Sequence, residues 1–390
     1  MRILASMTPV RFGIVGMGNI GKHHAGYLRA GQVPGCELVS VCSPSPQKLE
    51  SYRPLKIHSD PLALIRSGEI DALLIATPHY QHTPLGIAAL EAGLHVMVEK
   101  PIAAHKADAE RLIAAAAAHP KQVFGAMFQL RTEPRYVKIK ALLQAGELGR
   151  LMRINWINTD WFRTDAYYSS SAWRATWRGE GGGVLLNQAL HNLDTVYWLL
   201  GAPSRVRAFS KLGAYHNIEV EDEVTAYLEW SEGATGVFVT STAEAPGTNR
   251  LEICGSRGRL VLENDRLTFQ RTEVDTLEYS RTAKSGFAKP ELWNVEVPFT
   301  NAPSQHASLM QNFVESIREG KALIAPGQDG IGSVELANAI LYSSLTQSTV
   351  DLPLNSATYE RKLNELIATS RFEKKVESLG NDDFSKSFRR

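Results

Sequence analysis

Arg11-Phe-Gly-Ile-Val-Gly16-Met-Gly18-Asn-Ile-Gly21 is an apolar strand, a glycine turn and the start of a helix. G-x-G-x-x-G spacing in that setting opens a dinucleotide-binding βαβ unit. Gly16 permits the tight turn, Gly18 lets a pyrophosphate approach the backbone, and Gly21 lets helix and strand pack closely. The phosphates would rest on the N–H groups that open the helix, expected over Lys22 to Ala30, where the dipole is positive. Gly16, Gly18, Asn19 and Ile20 are therefore candidate cofactor contacts.

Outward from this turn the pattern alternates. A second strand, Glu37 to Cys42, runs into Ser43-Pro-Ser-Pro-Gln-Lys48. An acid here would hold a ribose 2′-OH. With Ser43 and Lys48 in its place the loop favours NADP, with NAD left open, and serines that only cap the next helix are the alternative. Pro61 opens a short helix after Asp60, and Ile70 to Thr77 is a buried strand. It leads to Thr77-Pro78-His79-Tyr80-Gln81-His82, where Thr77, Pro78 and His82 are placed against the cofactor, a His82 that caps the helix or bonds to backbone being the alternative. The next helix is expected to have Thr83 as N-cap, Pro84 at its first position and Gly93 beyond its end. His79 and His82 have no acidic or thiol partner nearby, so no metal site is read here.

His95-Val-Met-Val-Glu99-Lys100-Pro101 follows, a strand ending in two charges and a proline. Open parallel sheets bind ligands beyond the carboxyl ends of their strands. Glu99 and Lys100 therefore stand where cofactor and substrate would meet, the alternative being a solvated turn. An alanine-rich helix to about His119 and a strand over Gln122 to Met127 complete a doubly wound parallel sheet, placed in residues 1–131.

From Gly149 onward the strands are longer, alternate in polarity and are joined by turns such as Ser231-Glu-Gly233 and Ser256-Arg-Gly258. This predicts an α+β domain over 132–370 with an open, mostly antiparallel sheet, and a polar tail over 371–390. Gln270 to Thr300 resists assignment. Within this domain, Gly181-Gly-Gly-Val-Leu-Leu-Asn187-Gln-Ala-Leu-His191-Asn-Leu-Asp194 is expected to run into a helix from Gly183 to Leu200, with Asn187 and His191 on one face. An imidazole there suits proton transfer near neutral pH. A core histidine bonded to Asp194 is the alternative.

The 390 residues are 44% hydrophobic and 21% charged with a net charge of +1. Nothing in that balance asks for nucleic acid or an anionic membrane. No apolar run is long enough to span a bilayer, and Met1 to Val10 does not read as a signal peptide. Cys36, Cys42 and Cys254 show no paired spacing. A reduced, cytoplasmic protein is expected.

Taken together, these residues resemble the Gfo/Idh/MocA oxidoreductase family, relatives of glucose–fructose oxidoreductase and inositol dehydrogenase. The resemblance rests on Gly16-x-Gly18-x-x-Gly21, Ala76-Thr-Pro-x-x-x-His82, Glu99-Lys-Pro101, Arg131-x-x-Pro134 and Gly181-Gly-Gly-x-x-x-Asn187-x-x-x-His191-x-x-Asp194. Glu221-Asp-Glu223 and Ile253-x-Gly255-x-x-Gly258 add to it. It implies a Rossmann domain, an open-faced second sheet that joins subunits into a homodimer or homotetramer, a nicotinamide cofactor and a sugar or cyclitol substrate. It also implies that Lys100 touches both cofactor and substrate. The family's Asp-x-x-x-His pair falls on Asn187 and His191, and an amide cannot relay a proton as an acid does. That concentrates acid–base work on His191 and leaves Asn187 to orient a hydroxyl. Trp161-Phe-Arg163 and Trp173-Arg174-x-x-Trp177-Arg178 form a candidate sugar-binding wall, with Arg131 and Tyr136 beside it, an aromatic core with surface arginines being the alternative. The expected reaction is hydride transfer from a ring alcohol. The competing readings are redox-assisted cleavage of a glycoside and a dinucleotide sensor without turnover.

Overall fold

The computed structural model describes residues 8–300 and 305–377. The first sheet has six strands: β1 (Val10–Val15), β2 (Cys36–Cys42), β3 (Lys56–His58), β4 (Ala72–Ile75), β5 (His95–Val98) and β6 (Phe124–Ala126). Their order is β3-β2-β1-β4-β5-β6, all parallel. The order in which strands are added reverses at β1, with β2 and β3 on one side and β4, β5 and β6 on the other. That switch point opens a crevice at the strands' carboxyl ends. β4 is buried throughout, as a strand covered on both faces must be.

The second sheet has nine strands: β7 (Leu151–Asn158), β8 (Arg205–Leu212), β9 (Glu221–Glu229), β10 (Thr235–Ser241), β11 (Asn249–Gly255), β12 (Gly258–Glu263), β13 (Arg266–Thr272), β14 (Leu292–Glu296) and β15 (Val350–Asp351). The order is β14-β13-β12-β11-β7-β10-β9-β8-β15. Only the β7–β10 pair is parallel. One face buries Trp156, Ala208, Ala226 and Phe238 under helices Leu190–Leu200 and Gly330–Thr346. The other exposes Ile157, Phe209 and Tyr227. The expected hairpins at Ser231–Gly233 and Ser256–Gly258 join β9 to β10 and β11 to β12. The stretch from Gln270 to Thr300 contains a short helix, Thr276–Thr282, and β14.

Three expectations need correcting. Helix His82–Glu91 is preceded by Gln81, so Thr83 lies inside it, where its hydroxyl reaches the carbonyl of Asp108 at 3.4 Å. The helix expected from Gly183 is regular only over Leu190–Leu200. The Glu221 carboxylate takes the N–H groups of Gly183 and Leu185 at 2.8 and 3.0 Å, so residues 183–189 turn instead. Third, the polar tail is tied down where it is described. Glu377 N–H donates to the Ser169 carbonyl at 3.0 Å, and Ser370 bonds to Glu219. Residues 378–390 of that tail lie outside the described residues. Among the described residues no helix is long and apolar enough to cross a membrane, and no three side chains group as metal ligands.

Candidate active site

The glycine turn has the geometry a dinucleotide needs. Gly16 has φ +96°, and a Cβ on it would lie 2.5 Å from the backbone of Ala76. A Cβ on Gly21 would lie 1.9 Å from the Gly16 carbonyl oxygen. At Gly18, by contrast, a Cβ would meet nothing within 4 Å. Helix Asn19–Arg29 starts there with no capping side chain, so its first N–H groups can receive phosphate. Thr77, on the loop after β4, carries a buried hydroxyl without a hydrogen-bond partner among the described residues. At the end of β2, Ser43 accepts from the N–H of Ser45 at 3.3 Å, and neither it nor Ser45 caps the 3-10 helix Pro46–Tyr52 by side chain. The side chain of Lys48 lies outside the described residues.

Two candidate cofactor contacts are occupied by other tasks. His82 bridges the carbonyls of Pro101 and Thr77 at 2.7 and 2.8 Å, tying two loops of the crevice together. Glu99 accepts from His24 at 2.7 Å and from the N–H of Lys100 at 3.0 Å. Burial pushes the Glu99 carboxyl up, but its bond to His24 and the nearby cationic groups outweigh this and hold it down at about 2. His24 sits on the helix that begins at the glycine turn and also bonds Tyr27 at 2.6 Å. The cofactor helix and the Glu99-Lys100 loop are thereby locked together.

Lys100 crosses to the second domain. Its ammonium donates to the backbone carbonyl of Asn187 at 2.9 Å. Burial lowers the Lys100 amine to about 8, against the opposing pull of Glu99 and Glu180. Asn187 is not on a helix face with His191, because it lies in the turns before the helix. Its amide nitrogen donates to Glu180. Glu180 is buried and takes the N–H of Ala175 at 2.5 Å; burial raises its carboxyl above the usual range.

His191 is buried in the first turn of Leu190–Leu200, with its Nε2 3.5 Å from the amide nitrogen of Gln129. The ring of Trp161 stacks on it at 6.5 Å and 25°. Asp194 is not its partner. Arg131 takes Asp194 through two bonds, 2.9 and 2.7 Å, and reaches Asp329 at 2.7 Å. Both Arg131 and Asp194 side chains are 1% exposed. Arg131 is thus a strut under the helix that carries His191 and does not line the cleft. Tyr136 is also core, packed against Trp156.

The aromatic wall is continuous. From Trp161 it passes to Arg163 (5.7 Å above that ring), Tyr167 (5.1 Å from Arg163), Arg174 (4.4 Å from Tyr167), Trp173 (4.8 Å from Arg174) and His79 (5.6 Å from Trp173). His79 also bonds the Glu180 carbonyl at 3.0 Å. Trp177 is buried and Arg178 exposed. Gln129, Tyr167 and Glu180 were not singled out in the sequence. Only Glu180, a carboxylate directly ahead of three glycines, left a local signal there.

Residues 10–126 match the oxidoreductase family with an NAD-binding Rossmann fold, and residues 136–261 match the GFO/IDH/MocA C-terminal domain. This chain belongs to the Gfo/Idh/MocA oxidoreductase family. It is similar to inositol 2-dehydrogenase 1 of Saccharopolyspora erythraea, 26% identical over 88% of this chain and 97% of that one. It is similar to levoglucosan dehydrogenase of Pseudarthrobacter phenanthrenivorans, 25% identical over 90% of this chain and 100% of that one. Among solved structures, the WlbA dehydrogenase of Bordetella pertussis in complex with NADH and UDP-GlcNAcA superposes with a TM-score of 0.74 at 26% identity, covering 89% of this chain and all of that one.

Proposed function

We propose that this protein is a nicotinamide-dependent dehydrogenase or reductase acting on a ring CH–OH of a sugar, sugar derivative or cyclitol. The observation that carries the reading is the placement of Lys100: it follows β5 at the carboxyl edge of the cofactor sheet and reaches the loop that leads to His191. A nicotinamide bound over that edge supplies the hydride acceptor, or the donor in reverse. His191 accepts the hydroxyl proton as the alcohol is oxidised. Lys100, as the ammonium, stabilises the oxygen while negative charge develops on it. Gly16, Gly18, Asn19 and Ile20 hold the phosphates, and Thr77 and Pro78 wall the coenzyme. Trp161, Arg163 and Trp173 border the substrate. Asn187 orients Glu180 by its side chain and Lys100 by its carbonyl, which makes it a positioning residue. Three relatives that act on, or bind, an inositol, an anhydrosugar and a nucleotide-linked uronic acid support the reaction class while leaving the ring open.

The coenzyme is NAD or NADP. The Ser43–Lys48 loop lacks the acid expected for NAD, whereas the solved relative holds NADH, which gives the NADP preference no support. Assembly into a homodimer or homotetramer through the exposed face of the second sheet belongs to the same reading, supported by Ile157, Phe209 and Tyr227 exposed together on that face. Light scattering would test it.

Coenzyme reduction followed by absorbance, with NAD and NADP against inositols, aldoses, uronates, anhydrosugars and glycosides, tests the function. Turnover of one ring class is expected. Glycoside cleavage without net coenzyme change would replace it with the redox-assisted glycosidase reading. Tight coenzyme binding with no turnover of any kind would favour a sensor.

A further inference from the structure

The wall of the cleft alternates aromatic rings with cations. Tyr167 lies between the guanidinium groups of Arg163 and Arg174, and both arginines act electrostatically on Lys100. Arg174 spends one nitrogen on the Tyr167 hydroxyl at 2.5 Å. Its Nε is buried with no hydrogen-bond partner among the described residues. Glu180, an acid that Arg174 acts on electrostatically, is engaged by Asn187 and the Ala175 N–H. A further cation arrives on the C-terminal segment. Residues 370–377 run from Glu219, which holds the N–H of Trp177 at 2.9 Å, to Ser169 at the end of the short helix bearing Tyr167. This route brings Lys374 into electrostatic range of Glu180, Arg174 and Glu219. Among the described residues neither Arg174 nor Lys374 has a carboxylate within 4 Å.

We propose that Arg174 and Lys374 form an anion subsite beside the reacting centre, and that the substrate is a sugar carrying a carboxylate or phosphate group. The proposal rests on the dehydrogenase reading for the position of the reacting centre. A sugar ring stacked on Trp173 would present its anionic substituent to the Arg174 guanidinium, which lies 4.4 Å from the centre of the Tyr167 ring. Such a planar, pre-oriented fork suits a carboxylate or phosphate.

The test compares kcat/KM for uronic acids, sugar phosphates and their neutral parents in wild type, Arg174→Met and Lys374→Gln. The acidic sugar is expected to exceed its neutral parent by about ten- to a hundredfold, the range for charge-assisted hydrogen bonds. Each variant should erase most of that ratio, chiefly through KM for the acidic sugar, with a smaller loss on the neutral parent because Arg174 also acts on Lys100. Carboxylate and phosphate series identify which anion is taken. Equal turnover of acid and neutral parent, or an undiminished ratio in both variants, overturns the subsite. Equilibrium binding of the same acids to the coenzyme-loaded protein separates the two claims. Binding that Arg174→Met and Lys374→Gln weaken, with no ring alcohol oxidised, upholds the subsite and overturns the dehydrogenase reading. Absence of acid binding in a protein that oxidises neutral polyols does the reverse.

Discussion

Lys100 donates to the main-chain carbonyl of Asn187 across 2.9 Å, joining the carboxyl edge of the coenzyme sheet to the glycine-rich loop of the second domain. Because burial lowers its amine to about 8, the ammonium form dominates below that pH and is lost above it. Reduction of a ring ketone should therefore fall as pH rises through about 8. In Lys100→Arg, whose guanidinium stays charged, the descending limb should move upward in whatever activity remains. A limb that stays in place would assign the ionisation to another group.

His191 is proposed as the proton acceptor. His191→Ala should lower kcat by roughly 10²- to 10⁴-fold, the usual contribution of a positioned acid–base group, while coenzyme affinity, read by fluorescence titration, stays close to wild type. Turnover within a factor of about three of wild type would make His191 structural.

The amide at Asn187, where the family pattern has an acid, touches the buried carboxylate of Glu180. Negative charge is thus supplied to the loop from seven residues upstream. Glu180→Gln should lower kcat about tenfold and move the Lys100 limb to lower pH, since an opposite charge nearby favours the ammonium. Adding Asn187→Asp to Glu180→Gln should restore part of both. A double variant no better than the single would limit Glu180 to packing.

Asp194 and Arg131 form a buried pair that secures helix Leu190–Leu200. Removing one member of such a pair costs about 3–5 kcal/mol. Asp194→Ala should show that loss as a lower midpoint in urea denaturation. A midpoint unchanged from wild type would mean that Asp329 alone satisfies the guanidinium.

Ser43 ends β2 where the coenzyme ribose is expected. Ser43→Asp should shift the kcat/KM ratio towards NAD and away from NADP, since an acid favours a free 2′-OH and repels a phosphate. An unmoved ratio would remove this loop from coenzyme choice.

What was legible in the sequence was local. Gly16 and Gly21 meet the geometric demand their spacing implied, because turn, strand and helix are neighbours in the chain. The parallel and antiparallel sheets followed from polarity patterns of period two or none. What stayed hidden depended on partners far along the chain. The helix expected from Gly183 is unwound by Glu221, which is 38 residues away. Arg131 looked like a cleft residue until Asp194 and Asp329, 63 and 198 residues on, claimed its guanidinium. Lys374 looked like one charge of a polar tail, and only the fold brings it near Arg174 and the aromatic wall.

The most direct measurement follows the hydrogen itself. Ring-deuterated sugars or cyclitols from the active class, incubated with protein and oxidised coenzyme, would be analysed by mass spectrometry. Hydride transfer predicts deuterium in the reduced nicotinamide and a ketone at the labelled carbon, with both signals lost together in His191→Ala. Deuterium retained in the sugar while a glycosidic bond breaks, or ketone formed with an unlabelled coenzyme, would contradict it.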